Sequence, residues 1–234
     1  MKLGILADGH GNVEAFDVAM AVLQQLGAER FFFLGDAVGY FPGHELVAGL
    51  RELDILCLRG NHEAMLLEAN FPDERDKIYR LGETRLGMPA DLLDYVVSWP
   101  ERYEVEAPCG RILMLHGSPD DAVFGYVYHD TDVEQFMIAQ GTTVFTANTH
   151  RPFVRRTDGA TFVNVGSCGL PRDCGNLGAA CLFDDETGRA IIVRFNISIQ
   201  SEAALSRCGP VSQVVLDVLA RRSRDVCYGE LYEK

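Results

Sequence analysis

Three observations make this an α/β chain. Strand-like apolar runs alternate with helical patterns from residue 2 to residue 58, a largely helical stretch follows to about Ser98, and short β-runs separated by turn residues take over from Trp99 onward. The alternating part calls for a mostly parallel sheet covered by helices, and open sheets of that kind bind ligands at the carboxyl ends of their strands. With 234 residues, 47% hydrophobic and 24% charged, the chain suits one globular domain that buries its core without disulfides.

Residues 2–7 (Lys-Leu-Gly-Ile-Leu-Ala) read as a strand, and Asp8-Gly9-His10-Gly11-Asn12 as the turn after it. In extended backbone, residues two apart share a side, which lets Asp8 and His10 grip one ion together. Asn12 caps a helix from Val13 to Leu26, where Phe16, Ala19, Leu23 and Leu26 recur at helical spacing and Gly27 ends the pattern. The N–H groups at that helix start make Asn12 a candidate substrate contact for an anion.

A second apolar strand, Arg30 to Leu34, ends at Gly35-Asp36. A helix over 44–53 and a strand over 54–58 complete a βαβαβ start. That strand breaks at Gly60 and releases Asn61, His62 and Glu63 side by side. The charges from Asp73 to Lys77 read as a solvated helix face. Arg102–Glu106 and Arg111–Leu115 flank Pro108-Cys109-Gly110 as a hairpin whose second strand delivers His116.

The pattern then predicts a helix from Asp132 to Gln140 and a strand, Thr143–Thr146, that delivers Asn148 and His150. Two hairpins follow, with Asp158-Gly159 and Glu186-Thr187-Gly188 at their turns, and strands 178–184 and 190–197 are strongly apolar. The domain is expected to span 1–197. The tail, 198–234, holds one amphipathic helix, Val211 to Arg221, and is expected to pack on the same domain.

The net charge is −13 and the isoelectric point about 4.8. Such a surface repels phosphate backbones and disfavours nucleic acid as a partner. A small phosphorylated substrate fits only if the site brings its own positive charge, which bound divalent ions would supply. Seven cysteines form no Cys-x-x-Cys pair, and Cys57 and Cys181 lie in apolar runs, as expected of core residues in a reducing compartment. No signal-peptide pattern opens the sequence and no apolar run approaches the ~20 residues of a membrane span, so a cytoplasmic location without membrane contact is expected. A homo-oligomer is allowed.

The strand ends thus deliver Asp8, His10, Asp36, Asn61, His116, Asn148 and His150. Carboxylate, imidazole and amide oxygen together suit borderline divalent ions such as manganese, iron, zinc or nickel, and the lack of thiolate argues against a structural zinc site. An Asp at one strand end is ordinarily a cap. Five coincident strand ends are not an ordinary pattern. His44 and His129 read as surface residues. Arg172, in Pro171-Arg172-Asp173, reads as a surface ion pair or as a phosphate contact.

The order Asp-x-His, Gly-Asp, Gly-Asn-His-Glu, His and x-x-Thr-His resembles the calcineurin-like metallophosphoesterase family. Gly35-Asp36-Ala37-Val38-Gly39-Tyr40, Arg59-Gly60-Asn61-His62-Glu63, Thr149-His150-Arg151-Pro152 and Asn164-Val165-Gly166-Ser167 carry the likeness. These strings are similar to the small bacterial and archaeal branch, with phosphodiesterases and diadenosine-tetraphosphatase-like proteins. The resemblance implies a two-sheet β-sandwich flanked by α-helices. It implies two divalent ions, for which manganese, iron, zinc, nickel and magnesium are the candidates. One would be held by Asp8, His10, Asp36 and His150, the other by Asp36, Asn61, His116 and Asn148, with Asp36 shared. The reaction implied is hydrolysis of a phosphodiester or phosphomonoester by a metal-bound hydroxide, with His62 as catalytic residue at the leaving oxygen. The family usually has histidine where this chain has Asn148, so the second ion is expected to bind more weakly. That departure also admits an alternative, a non-catalytic metal-binding or scaffold member of the same fold.

Overall fold

A computed structural model describes residues 1–68, 72–223 and 229–233. The strand and helix pattern of the first part closes into a parallel unit. Strand β1 (Lys2–Leu6) pairs in parallel with β2 (Arg30–Phe33), and β2 with β3 (Leu56–Cys57). The crossovers are α1 (Val13–Gln25) and α2 (His44–Glu52). Side chains alternate across β1. Leu3 and Ile5 face one way, with Ala7 beyond them, and Leu6 faces α1, where it packs with Phe16, Leu23 and Phe33.

The helical stretch resolves into α3 (Asn61–Glu68), α4 (Asp73–Tyr79), α5 (Leu81–Gly87) and α6 (Ala90–Val97). Leu66, Leu81, Leu92, Val96 and Trp99 add to the same helix-side core. A second sheet runs in the order β4 (Arg102–Ala107), β5 (Gly110–Leu115), β6 (Thr142–Thr146), β8 (Ala160–Asn164), β7 (Phe153–Arg156). The first sheet is extended on the other side of β1 by β9 (Leu177–Asp184), β10 (Arg189–Asn196) and β11 (Glu230–Glu233). Leu3, Ile5, Phe32 and Cys181 meet Ile112, Met114, Phe145 and Val163 between the two sheets. The expected two-sheet sandwich with flanking helices is the architecture found.

Two expected elements differ. The helix predicted over Asp132–Gln140 is a single 3₁₀ turn, Val133–Phe136, which ends where Met137 takes a left-handed φ of 46°. Val133, Phe136 and Ile138 pack with the second sheet's Leu113, Val144 and Phe162, while Met137 between them is exposed. The tail holds two helices where one is expected: α7 (Ser198–Cys208) and α8 (Gln213–Ala220). Helix α7 buries only small residues, Ser201 and Ala204, so its apolar stripe is weak in the sequence.

The tail is bonded to the body at several points. Arg207 donates to the Gly11 carbonyl (2.9 Å) and pairs with Glu14 and Glu45, and Arg221 donates to the Arg172 carbonyl (2.6 Å). The six described cysteines are unbridged, with Cys57, Cys168, Cys174 and Cys181 buried; Cys227 lies outside the described residues. No helix among the described residues is long and apolar enough to cross a membrane.

Candidate metal centre

The seven strand-end residues meet in one place through an unusual backbone. Asp8, His10, Asp36, Asn148 and His150 all have positive φ, between 48° and 61°. The expectation that Asp8 and His10 share a side because the chain is extended is therefore corrected. Both have left the strand, and a left-handed turn aims them together. Asn and Asp tolerate that region, whereas two histidines there cost on the order of 1 kcal/mol or more each. Surrounding bonds fix these turns: Asp8 N–H donates to Gly35 O (3.0 Å), His10 N–H to Asp36 O (3.0 Å) and Asn148 N–H to the Asp8 carboxylate (3.1 Å).

The ligating atoms of Asp8, His10, Asp36 and His150 lie within 4.8 Å of one another, and all four residues are buried. His10 Nδ1 donates to Val38 O (3.0 Å), His150 Nδ1 to Leu170 O (2.6 Å) and His116 Nδ1 to Leu34 O (2.9 Å). With Nδ1 carrying the proton, the neutral rings of His10 and His150 turn the lone pair of Nε2 inward. His10 Nε2 and His150 Nε2 then face each other at 3.1 Å. Burial pushes both imidazoles well below their ordinary pKa, so no proton bridges the pair. Asp8 Oδ1 lies 3.6 Å from His150 Nε2 and is buried without a hydrogen-bond partner. Two opposed lone pairs beside an orphaned carboxylate oxygen are unfavourable by themselves and are the donor set of a divalent cation. The residues fit a metal.

A second group adjoins the first. His116 Nε2 lies 3.1 Å from Asn61 Oδ1 and 3.5 Å from Asp36 Oδ2, and Asp36 Oδ2 is also 3.7 Å from His10 Nε2. Asp36 thus stands between the two groups. Burial opposes its charge, yet His116, His62 and His10 hold its carboxyl well below the usual carboxylate range. Burial likewise opposes charge on His116, and Asp36 and Asp8 outweigh it and raise the imidazole to about 9. Asn148 donates its amide to Gly125 O (2.9 Å), leaving its oxygen without a hydrogen bond among the described residues.

His62 packs among the rings of His10, Tyr40 and Tyr79 at 4.7–5.2 Å, with Nε2 3.9 Å from Asp36 Oδ2 and Nδ1 buried and unpartnered. Burial lowers its pKa to about 4. Gly39 makes room for it, since a Cβ there would stand 2.0 Å from His62 Nδ1. Glu63 is a residue whose task the sequence reading missed. Its carboxylate is fully buried and accepts four backbone N–H groups, from Asp36, Ala37, Val38 and Gly60, at 2.7–3.2 Å. Burial and the Asp36 charge push it up to about 7 against those donors. The available signal was a Glu three residues after the helix cap Gly60, the position that reaches back to a cap N–H.

Two further expectations change. Asn12 is fully buried; its oxygen accepts from Ala15 N–H (3.1 Å) and its amide donates to Gly169 O (3.0 Å), so neither end is open to a substrate. Arg172 makes no ion pair among the described residues. Half-buried, it donates to the Tyr40 hydroxyl (3.0 Å); burial disfavours its charge, and Tyr40 and Asp8 restore it.

The calcineurin-like phosphoesterase superfamily domain matches residues 1–187. An uncharacterized protein of Methanocaldococcus jannaschii is 26% identical over 217 residues, 85% of this chain and 88% of that one. A metallophosphoesterase from Sphaerobacter thermophilus superposes with a TM-score of 0.79 at 24% identity, covering 94% of this chain and 99% of that one. A hypothetical protein from Pyrococcus horikoshii gives a TM-score of 0.75 at 18% identity, over 96% and 99%. With the domain matched over most of its length and the fold shared with these structures, the chain belongs to the calcineurin-like phosphoesterase superfamily.

Proposed function

We propose that this protein hydrolyses a small phosphoester, a diester or a monoester, in a reaction that requires two divalent ions. The observation that carries the reading is the opposed Nε2 atoms of His10 and His150 at 3.1 Å beside the partnerless Asp8 Oδ1. Asp8, His10, Asp36 and His150 would hold the first ion, and Asp36, Asn61, His116 and Asn148 the second. Bound there, divalent ions supply positive charge and Lewis acidity to a phosphoryl group, which offsets the acidic surface. The carbonyls of Val38, Leu170 and Leu34 orient the three histidines through their Nδ1 protons, so each ring meets its ion without reorganisation. Arg172 and the Tyr40 hydroxyl beside it offer an anion a charged hydrogen-bond donor.

His62 is the residue we assign to the leaving oxygen. Held neutral by burial in the free protein, it gains basicity when a phosphate anion arrives beside it, and can then donate a proton or hydrogen bond as the ester breaks. The tail belongs to the same domain in this reading, since α7 and α8 bond to the turns that carry Asp8, His10 and Arg172. The unbridged cysteines support a cytoplasmic location. Of the candidate ions, manganese, iron, zinc and nickel suit the mixed imidazole and carboxylate donors, and magnesium, which prefers oxygen ligands, suits them least. The decisive experiment strips metal from the purified protein, restores each ion singly, and follows phosphate or alcohol release from monoester and diester substrates. Hydrolysis should vanish on stripping and return with metal. Full activity in exhaustively stripped protein refutes the reading.

A further inference from the structure

The loop between β5 and β6 is more rigid than its irregular path implies. Gly117 N–H donates to Ala122 O (2.7 Å), Ser118 and Asp121 exchange backbone hydrogen bonds (2.8 and 3.1 Å), and Gly125 N–H returns to Asp121 O (3.1 Å). The Asp121 carboxylate accepts from Val123 and Phe124 N–H (3.3 and 2.9 Å). The loop is drawn so tight that a Cβ on Gly125 would stand 2.1 Å from Ser118 Oγ.

What this braced loop turns outward is aromatic. Phe124, Tyr126 and Tyr128 are 46%, 48% and 41% exposed, and the Tyr126 and Tyr128 rings lie nearly parallel, 10° apart in plane with centroids 6.0 Å apart. Scattered exposed aromatics are ordinary on any surface. A parallel pair on a braced loop next to a reactive centre is not scattered. The Gly125 carbonyl, adjacent in sequence to Tyr126, accepts the Asn148 amide, so the loop is fastened to the candidate metal centre itself.

Arg172 reaches the same centre by another route: it donates to the Tyr40 hydroxyl (3.0 Å), and the Tyr40 ring packs on those of His10 and His62 at 4.8 and 5.2 Å. Its position is fixed from behind: the neighbouring Asp173 makes a buried bidentate pair with Arg194 (2.7 and 3.1 Å), and Arg221 holds the Arg172 carbonyl (2.6 Å). The loop, through Asn148, and Arg172, through Tyr40, thus border the same centre, and in keeping with that the Arg172 charge draws the Tyr126 hydroxyl back from the higher pKa that burial imposes. A fixed cation suits a phosphoryl group, and a flat apolar face beside it suits a planar ring.

Resting on the phosphoester reading above, we propose that Tyr126 and Tyr128 form a stacking platform for a planar aromatic group on the substrate, a nucleobase or an aryl group, whose phosphoryl end Arg172 holds. Four phosphomonoesters differing only in the group attached test this by calorimetry: thymidine 5′-phosphate, benzyl phosphate, cyclohexylmethyl phosphate and methyl phosphate. The benzyl and cyclohexylmethyl esters match in bulk and differ in planarity. The parent protein should bind the benzyl or the thymidine ester at least about fivefold more tightly than the cyclohexylmethyl ester, the lower end of what a base–aromatic stack gives. In the double variant Tyr126→Ala/Tyr128→Ala, and equally in Tyr126→Leu/Tyr128→Leu, the gap should fall below about twofold. Arg172→Gln should weaken all four esters by a similar factor. Preference for thymidine over benzyl identifies a nucleobase; the reverse order, an aryl group. A gap that survives both double variants, binding of both the benzyl and the thymidine esters to the parent no tighter than that of the cyclohexylmethyl ester, or no binding of any ester overturns the proposal. Turnover of the corresponding diesters is scored separately. Hydrolysis without the gap sinks the platform alone, and the gap without hydrolysis sinks the phosphoesterase reading alone.

Discussion

Replacing Glu63 by Gln changes one oxygen into an NH₂ group and leaves size and shape alone. In the parent protein, one Glu63 oxygen accepts from Asp36 and Gly60 N–H (2.7 and 2.9 Å) and the other from Ala37 and Val38 N–H (2.8 and 3.2 Å). Whichever way the new amide turns, two buried N–H donors face an NH₂ that cannot accept. Each orphaned buried donor costs about 1–3 kcal/mol. The substitution should therefore destabilise the fold by about 2–6 kcal/mol, a large part of the ~5–15 kcal/mol that typical domains have. For a chain of this length each kcal/mol lowers the melting temperature by about 2–4 °C, so a fall of roughly 4–24 °C is expected. Scanning calorimetry on metal-free and metal-loaded protein measures it directly. Because two of the four donors belong to Asp36 and Ala37, the Asp36 turn should loosen too, and metal affinity should fall with stability. A melting temperature within about 2 °C of the parent in both states would show that the carboxylate does not hold this turn.

Three shorter predictions follow from the centre. His62→Gln should lower kcat by roughly 10²–10⁴-fold, the usual worth of a positioned proton donor, with metal content by elemental analysis unchanged; loss of metal would make His62 a ligand. Asn148→His should tighten the second metal and raise activity at limiting supply, since a ring Nδ1–H can replace the amide's bond to Gly125 O and leave Nε2 for the ion. Equal titration curves for the two proteins would show that the amide is already an adequate ligand. In the metal-free protein, His116 is raised to about 9 from an unfolded value near 6.5. Its stabilising charge is fully present below pH 6.5 and is lost as pH rises through 9. Urea unfolding should thus show stability falling by on the order of 3 kcal/mol between pH 6.5 and 9.5, and His116→Gln should flatten that fall. An unchanged slope in the variant refutes the assignment.

The convergence of Asp8, Asp36, Asn61, His116, Asn148 and His150 was legible because each follows an apolar run, the first three at the ends of parallel strands of one sheet and the last three at the ends of parallel strands of the other. The mechanism of convergence was not legible. Period-2 reasoning holds inside a strand, and the left-handed φ of Asp8 and His10 depends on bonds to Gly35 and Asp36 that no local pattern announces. The surroundings of Asn12 and Arg172 were hidden for a related reason. What a polar side chain does is set by its neighbours in space: Gly169, 157 positions away, for Asn12, and Tyr40, 132 positions away, for Arg172. Helix α7 escaped notice because it packs through Ser201 and Ala204, residues that give no hydrophobic signal.

Strand β1 lies inside its sheet, between β2, which follows soon after it, and β9, whose Cys181 pairs with Ile5. During synthesis the segment bearing Asp8 and His10 therefore leaves the ribosome long before half of its sheet exists. At about 5–20 residues per second, some ten to thirty seconds separate Asp8 from β9. For most of that interval Asp8 and His10 have neither Ser167, whose hydroxyl donates to the Asp8 carbonyl (2.7 Å), nor His150 opposite. A centre so divided along the chain cannot capture metal piecemeal with useful strength. In the function proposed above, metal loading would thereby be a late event, reserved for chains that have already closed the sandwich.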